Sequence, residues 1–167
     1  LWLMPTGTVY QEFSQLISQL AKENSSIEFQ PHITLIGNVE AQEEEMIIKA
    51  LNVASLIHPY PIKLVDIGYI DYYYRALYLS VKASTEVLIA YQVTRKIFPD
   101  DQKVAYMPHL SLLYGDFPIE VKKQIIRKVG NNFTHEFEAH TLYFYLTEGL
   151  ASDWQEIGAF PLQNAGS

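Results

Sequence analysis

The chain has 167 residues, a formal net charge of −7 and no cysteine. This length is typical of one domain with a sizeable core, so we expect a single domain over residues 1–167 with a frayed tail over 162–167. The lack of cysteine excludes disulfides, thiolate nucleophiles and cysteine zinc sites, and it fits a cytoplasmic protein. The acidic balance disfavours long nucleic acid. Apolar runs such as "TLYFYL" are too short to span a bilayer, so we expect no membrane contact. We also expect a monomer, although the sequence has no feature that decides the oligomeric state.

The first half of the sequence predicts two helices between three strands. The apolar "LWLMP" at the start predicts a short strand, and apolar residues at helical spacing predict a helix over about 8–23. A strand is expected over about 29–37 and a helix over about 41–56, whose acidic first turn suits the helix dipole. "PIKLVDIGYI", which starts at residue 61, has the composition of a third strand.

The second half predicts a similar series of elements and opens with a hairpin. "DYYY" at 71–74 predicts a solvent-facing turn, with a flap over a groove as the alternative, and "RALYLSVKA" predicts the strand that pairs back. Ser84 can cap a helix that runs to about 97, and a strand follows near 105–114. "FPIEVKKQIIRKVG" predicts a helix ended by Gly130. Two strands close the chain, over about 133–147 and 153–161.

The series strand–helix–strand–helix–strand therefore occurs twice, at an almost constant spacing. A shift of 77 in the numbering relates His32 to His109, and the same shift places "PIKLVDIGY" on "EAHTLYFYL". A shift of 76 places "LWL" on "LYL". We infer an internally duplicated α+β fold with halves of about 1–72 and 73–161. A pseudo-twofold axis between the halves would set their motif strands across one groove.

Two short motifs occupy equivalent positions in these halves. "PHITLIG" begins at residue 31 and "PHLSLLYG" begins at residue 108. Because side chains alternate along a strand, His32 and Thr34 share one face, as do His109 and Ser111. The alternate aliphatic side chains point the other way, into a core under helices. Each motif therefore delivers one imidazole and one hydroxyl to the groove.

Residues at the two ends of each motif restrict or free the backbone. Pro31 and Pro108 hold the strand entries extended and suit the first residue of a strand, where no ladder donor is needed. Gly37 and Gly115 are expected to let the backbone turn sharply after each strand.

Two imidazoles and two hydroxyls in one groove form a set suited to phosphoryl transfer. An unperturbed histidine titrates near pH 6.5, so one ring can act as general base and the other as general acid. Thr34 and Ser111 can donate to phosphoryl oxygens while a protonated ring offsets the developing charge. The set fits in-line attack of water on a cyclic phosphodiester without a metal or other cofactor. A metal site is the weaker alternative, because zinc would need a third ligand and the sequence has no H-x-x-x-H or H-E-x-x-H spacing.

The strings "HITL" and "HLSL" resemble the paired H-x-[T/S]-x signatures of the two-histidine (2H) phosphoesterase superfamily. The opening "LWLMP", the proline before His32, the block "HLSLLYGD" and the chain length are similar to those of its cyclic phosphodiesterase-like family. The resemblance implies a bilobal α+β fold of two antiparallel sheets flanked by helices, with a metal-independent site in the groove between them. It also implies active-site roles for five residues, namely His32, Thr34, His109, Ser111 and Tyr114.

The resemblance further implies a small cyclic nucleotide as substrate. We expect hydrolysis of a five-membered cyclic phosphate, either ADP-ribose 1″,2″-cyclic phosphate or a nucleoside 2′,3′-cyclic phosphate, to the phosphomonoester. Two alternatives stay open. One is RNA-end processing, or cleavage or ligation of a 2′–5′ phosphodiester, by the same fold. The other is a non-catalytic nucleotide-binding module, against which the intact histidines of both motifs weigh.

Aromatic residues are candidates for binding the nucleobase of the substrate. Tyr114 is the first candidate for stacking, followed by Tyr69 and Trp2. Gly37 occupies the position that symmetry pairs with Tyr114. This asymmetry indicates that the two histidines do not do identical work.

Charged residues outside the motifs give weaker signals. Lys103 and Arg75 could lend positive charge to the groove, although nothing in the sequence places them there. Three further histidines are interpreted as structural or surface residues: His58, His135 and His140.

Overall fold

Four helices lie against antiparallel strands in the computed structural model, which describes residues 1–99 and 105–163. The helices are α1 (Gly7–Glu23), α2 (Glu43–Leu56), α3 (Thr85–Ile97) and α4 (Ile119–Val129). Their bounds lie close to the predicted ones. The Ser84 hydroxyl accepts a hydrogen bond from the Val87 N–H and so caps α3 as expected. Within the described ranges, no helix combines the length and apolar character that crossing a bilayer requires.

The end of the described chain is more ordered than the expected frayed tail. Leu162 is buried, and its N–H donates to the His140 carbonyl at 2.8 Å. The Gln163 N–H donates to the carbonyl of Ile57 at 2.9 Å. Residues 162 and 163 are therefore held to the fold, and the rest of the expected tail, 164–167, lies outside the described residues.

The strands are shorter at the two motifs than the sequence predicts, and one predicted strand is divided. They are β1 (Trp2–Leu3), β2 (Ile33–Thr34), β3 (Tyr60–Tyr69), β4 (Leu77–Val81), β5 (His109–Leu113), β6 (Glu136–Ala139), β7 (Thr141–Leu146) and β8 (Gln155–Pro161). The single strand expected over 133–147 was wrong. It breaks at His140 because its two parts pair with different strands, β6 with β3 and β7 with β1 and β8.

The strand order confirms the duplicated α+β architecture. The order is β6-β3-β4-β5-β2-β1-β7-β8, with antiparallel neighbours throughout. About the central β5–β2 pair, β4 mirrors β1 and β3 mirrors β7, which are the strands that the shifts of 76 and 77 match. Two four-stranded antiparallel groups therefore join at β5 and β2 into one eight-stranded sheet, and each group contains strands from both halves of the sequence. The motif strands are neighbours in this sheet, so the expectation that they lie across a groove from each other was wrong.

The core lies on the face of the sheet that the motif histidines do not use. The alternate aliphatic side chains of the motifs are buried there as predicted: Ile33, Leu35, Leu110 and Leu112. The apolar face of α1, with Phe13 at its centre, is buried in the same cluster. Burial of each such side chain stabilises the fold by roughly 1.5–3 kcal/mol. This packing fixes the motif strands and leaves the polar face toward the groove.

The turns after the two motifs differ. Gly115 has φ +137°, and a Cβ there would lie 2.4 Å from the Phe117 ring, so glycine is required. Gly37 does not have a positive φ, and a Cβ there would make an ordinary contact of 3.5 Å with the Thr34 methyl group. Asn38, with φ +54°, makes the left-handed turn instead. The expectation for Gly37 was therefore wrong.

Candidate active site

The pairing of β2 with β5 brings the two motifs side by side. Ile33 lies opposite Leu110 in this antiparallel pair. One residue further in each direction, the register sets His32 beside Ser111 and Thr34 beside His109. The histidines are then diagonal neighbours on one face, a relation that typically separates the Cβ atoms by somewhat less than about 7–8 Å. All four motif side chains line one groove of about 420 Å³, a size suited to a small ligand.

The two imidazoles are held in the same way. His32 Nδ1 lies 2.7 Å from the Gln30 carbonyl oxygen, and His109 Nδ1 lies 2.8 Å from the Met107 carbonyl oxygen. A carbonyl only accepts hydrogen bonds, so each Nδ1 carries a proton and donates. Nε2 is then the nitrogen that can take up or release a proton in each ring. Gln30 and Met107 are themselves related by the shift of 77, so the duplication extends to the groups that orient the histidines.

Burial favours the neutral form of both rings. It lowers the pKa of His32 to about 4, with the backbone hydrogen bond to Gln30 opposing the shift and the charge of His109 adding to it. Burial also lowers the pKa of His109, again against the effect of its backbone hydrogen bond, and the charge of Arg75 adds to that shift. His32 is the more deeply buried ring. Burial therefore opposes protonation more strongly at His32 than at His109.

Each histidine also has an aromatic neighbour from the adjacent strand. The Trp2 ring stacks on His32 with centroids 3.7 Å apart, and Tyr78 meets His109 edge-on at 5.7 Å. Trp2 lies opposite Thr34 in the β1–β2 register, and Tyr78 lies opposite Ser111 in the β4–β5 register. Tyr78 was missed from the sequence, although the shift of 76 that matches "LWL" to "LYL" pairs it with Trp2.

The Trp2 ring packs against His32 and has little exposed surface. The ring face of Trp2 that does not contact His32 is covered by Tyr145, at 4.2 Å between centroids. The side chain lines the groove but is only 5% exposed. The Trp2 ring is therefore packed between His32 and Tyr145, and its expected part in stacking on a base stays a prediction.

The two hydroxyls differ in their partners. Ser111 Oγ donates to the Tyr74 carbonyl at 2.8 Å. The Thr34 hydroxyl makes no hydrogen bond within the described part of the chain, while its carbonyl accepts one from the Tyr106 hydroxyl at 3.3 Å. Thr34 can donate to a ligand without rearrangement, whereas Ser111 must first turn its hydroxyl away from Tyr74.

The remaining aromatic candidates present no well-exposed ring to the groove, and base stacking on them stays a prediction. Tyr114 lines the groove, but its ring is stacked on Phe29 at 3.6 Å and the residue is 2% exposed. Tyr69 is 36% exposed at the end of β3 and does not line the groove. The sequence reveals neither fact, because Phe29 and Tyr114 are distant in the chain and the end of β3 is set by its pairing.

Other aromatic rings that sequence reasoning missed do form groove walls. Tyr72 and Tyr74 line the groove and are 53% and 46% exposed, and Trp154 faces Tyr74 at 6.4 Å between centroids. "DYYY" is thus a turn, as favoured, but its alternate tyrosines face the groove. The cluster of three tyrosines was the available signal, and Trp154 had none beyond being one of two tryptophans.

Among the described residues, Arg75 is the one arginine or lysine that lines the groove, and none of the lining residues is acidic. Lys103 lies outside the described residues. The other histidines lie elsewhere, with His135 paired to Glu12 at 2.8 Å. In the described ranges, no three His, Cys, Asp or Glu side chains cluster as a metal site would require.

A comparison with known families agrees with this geometry. The sequence model of the family described as "Cyclic phosphodiesterase-like protein" matches residues 1–164. The chain belongs to this family. The match confirms the resemblance inferred from the two motifs and supports a phosphodiesterase enzyme. The curated cyclic phosphodiesterase of Arabidopsis thaliana is 24% identical over 127 residues, which cover 76% of this chain and 70% of that protein.

Solved structures share the fold of this cyclic phosphodiesterase-like chain at low sequence identity. The structure of TT0787 of Thermus thermophilus has a TM-score of 0.66 at 13% identity and covers 99% of this chain and 97% of that one. E. coli LigT complexed with 3′-AMP has a TM-score of 0.64 at 13% identity and covers 96% of this chain and 95% of that one. These structures show the fold of the chain.

Proposed function

We propose that this cyclic phosphodiesterase-like protein hydrolyses a five-membered cyclic phosphate on the ribose of a small nucleotide. The observation that supports it most directly is the pair of equivalent imidazoles, each held through Nδ1, in a groove whose described lining has no acidic side chain. Two titratable nitrogens beside a phosphate supply both proton transfers that hydrolysis needs. A non-catalytic binding module would have little need of two such groups.

His32 acts as the general base in this proposal and His109 as the general acid. The neutral Nε2 of His32 takes a proton from water as the water oxygen bonds to phosphorus. The P–O bond to one ribose oxygen breaks, and Nε2–H of His109 protonates that oxygen, which leaves a phosphomonoester and a free hydroxyl. The assignment follows from burial, which opposes protonation more strongly at His32 than at His109.

The aromatic walls supply a place for the nucleobase. Tyr72 and Tyr74 expose their rings beside the histidines, and stacking of a base on such a ring is worth about 1–3 kcal/mol. E. coli LigT, which has the same fold, was solved with 3′-AMP, a nucleoside monophosphate. A nucleoside 2′,3′-cyclic phosphate and ADP-ribose 1″,2″-cyclic phosphate both offer a nucleobase and one cyclic phosphate to this groove.

A substrate panel tests the proposed reaction and its independence of metal. It contains the four 2′,3′-cyclic mononucleotides, ADP-ribose 1″,2″-cyclic phosphate, a 3′,5′-cyclic nucleotide, a 2′–5′ dinucleotide and an RNA end with a cyclic phosphate. Phosphorus NMR should show conversion of a five-membered cyclic phosphate to a monoester, at a rate that excess EDTA leaves unchanged. Loss of activity in EDTA with recovery in zinc or manganese would assign the site to metal-assisted hydrolysis instead.

The pH dependence of kcat/KM should be bell-shaped with its maximum below pH 6.5. The base must be neutral and the acid protonated, and burial lowers the pKa of both rings, that of His32 to about 4. The two apparent pKa values that bound this profile belong to the coupled histidine pair and not to either ring alone. A bound phosphate raises both pKa values, so the profile of kcat should lie at higher pH than that of kcat/KM. A profile that rises steadily to pH 9 would contradict the histidine pair.

The same shift predicts how stability depends on pH. The pKa of His32 is lower in the folded protein than its usual 6.5, so the unfolded chain binds more protons between pH 6.5 and 4. Stability present above pH 6.5 is therefore lost as the pH falls toward 4, by about 3 kcal/mol for this ring. Thermal unfolding over this range should show the loss in the wild type and a smaller one in His32→Asn.

A further inference from the structure

The positive charge of the groove is concentrated at one side chain. The protein carries a net charge of −7, yet no acidic residue lines the groove within the described chain, and Arg75 is its one lining arginine or lysine. No described carboxylate lies within ion-pair distance of the Arg75 guanidinium. A partly buried guanidinium without a counter-ion is costly, and an anionic ligand would offset that cost.

The Arg75 guanidinium lies near two aromatic rings, and one of its N–H donors has no partner among the described residues. Its carbon lies 6.0 Å from the centroid of the Tyr72 ring and 5.8 Å from that of Tyr78. Both contacts are within the range of cation–π attraction. Arg75 Nε is buried and has no hydrogen-bond partner among the described residues. The flanking rings limit the directions in which the planar group can turn, and a ligand oxygen would satisfy the buried donor.

Three hydrogen bonds from other parts of the fold fix the backbone just before Arg75. The fully buried Lys122 on α4 donates from Nζ to the Ile70 carbonyl at 2.8 Å. The Gly115 N–H donates to the Tyr73 carbonyl at 2.8 Å, and Ser111 Oγ donates to the Tyr74 carbonyl at 2.8 Å. Two of these three donors belong to the second histidine motif or to the glycine that closes it. The position of Arg75 is therefore set relative to His109.

Arg75 lies near His109, because both contact the same aromatic ring. The Tyr78 ring is 5.8 Å from the Arg75 guanidinium carbon and 5.7 Å from the His109 ring, and the charge of Arg75 adds to the lowered pKa of His109. Among the described residues, the titratable or charged groups that contact or electrostatically influence His109 are Arg75, Tyr78 and, on the neighbouring strand, His32. Arg75 therefore lies at the end of the groove where the proposed general acid works.

We propose that Arg75 is the phosphate-binding residue of the groove and contacts the non-bridging oxygens of the reacting cyclic phosphate from the side of His109. This inference rests on the proposed function and names a further residue for it. The cyclic phosphate carries one negative charge, and attack of water adds a second. A guanidinium in place before the reaction offsets that second charge and stabilises the transition state more than the ground state.

Kinetics of matched variants test the proposal. Arg75→Met keeps a flexible unbranched stem and removes the guanidinium with its charge and donors. Arg127→Met, at an exposed arginine on α4 outside the groove, is the control. We expect kcat/KM on 2′,3′-cyclic AMP to fall about 10²–10³-fold in Arg75→Met and to stay within about twofold in Arg127→Met. Arg75→Lys should recover about tenfold of the loss, since a lysine restores the charge but not the fork of donors.

Two measurements that do not need turnover separate this proposal from the proposed function. Calorimetry with inorganic phosphate should show weaker binding to Arg75→Met than to the control. NMR titration of the histidine rings should show the pKa of His109 raised in Arg75→Met, while the pKa of His32 stays where it was. These results would support Arg75 as the anion contact even if every substrate of the panel failed.

Two outcomes would overturn the proposal. One is an Arg75→Met protein that folds, as judged by circular dichroism, and keeps both kcat/KM and phosphate affinity within about twofold of the control. The other is a loss confined to ADP-ribose 1″,2″-cyclic phosphate with 2′,3′-cyclic AMP unaffected, because Arg75 would then contact the diphosphate and not the reacting group.

Discussion

His32→Ala and His109→Ala should each lose about 10²-fold or more in kcat, the usual scale for positioned acid–base groups. Each ring offers a single free nitrogen, because Nδ1 is engaged with a backbone carbonyl. Removal of either ring therefore removes one of the two proton transfers entirely. Steady-state kinetics on the best cyclic phosphate of the panel would measure the effect.

The double variant and a surface histidine provide the controls. His32→Ala/His109→Ala should lose less than the product of the two single losses, because groups that act as a unit are not additive. His140→Ala removes an exposed histidine between β6 and β7 and should leave kcat unchanged. A His109→Ala protein that folds normally and keeps nearly full activity would show the second motif to be scaffold and defeat the mechanism.

Thr34→Ala and Ser111→Ala should each lower activity about 10-fold to 10³-fold, as loss of a donor to a transition-state oxyanion does. We expect the two variants to differ in their effects on kcat, on KM and on thermal stability. The Thr34 hydroxyl is free for the ligand within the described chain, so its removal should lower kcat and leave thermal stability unchanged. Ser111→Ala also removes the bond to the Tyr74 carbonyl, so it should cost about 1 kcal/mol of stability and raise KM as well.

Thr34→Ser is the matched control, since it keeps the hydroxyl and removes only a methyl group. It should retain most of the wild-type kcat, and thermal unfolding of all three variants would separate the structural from the catalytic part. If Thr34→Ala and Ser111→Ala showed the same kcat, KM and unfolding temperature, the asymmetry of their hydrogen bonds would have no functional meaning. Full activity in the Thr34→Ala variant would show that Thr34 takes no part in catalysis.

The sequence was sufficient to identify the four motif residues as candidates because two simple regularities specify them. Strand alternation sets His32 and Thr34 on one face, and the repeat at a shift of 77 supplies the second pair. The helices were also predictable, because apolar spacing and caps are local properties. Where a feature depended on a neighbour far along the chain, the same reasoning failed.

Three such failures have the same physical origin. The strand over 133–147 divides at His140 because β6 and β7 have different partners. Tyr114 is packed against Phe29, which lies about half a chain earlier, so an aromatic in a good motif position is not well exposed to the groove. Arg75 lines the groove because α4 and the second motif donate hydrogen bonds to the backbone just before it. Local patterns contain no information about these contacts.

The mirrored strand order has a consequence for folding of the chain during translation. β1 lies between β2 and β7, with Trp2 opposite Tyr143, so β1 cannot complete its pairing until β7, which is far later in the chain, has been made. A nascent chain that has emerged through α4 already contains both histidine motifs, yet the strand that flanks the Trp2 support of His32 is absent. Folding dominated by such distant pairings is slow compared with that of helical bundles. Catalytic competence should therefore appear only after β7 has been made and has paired with β1.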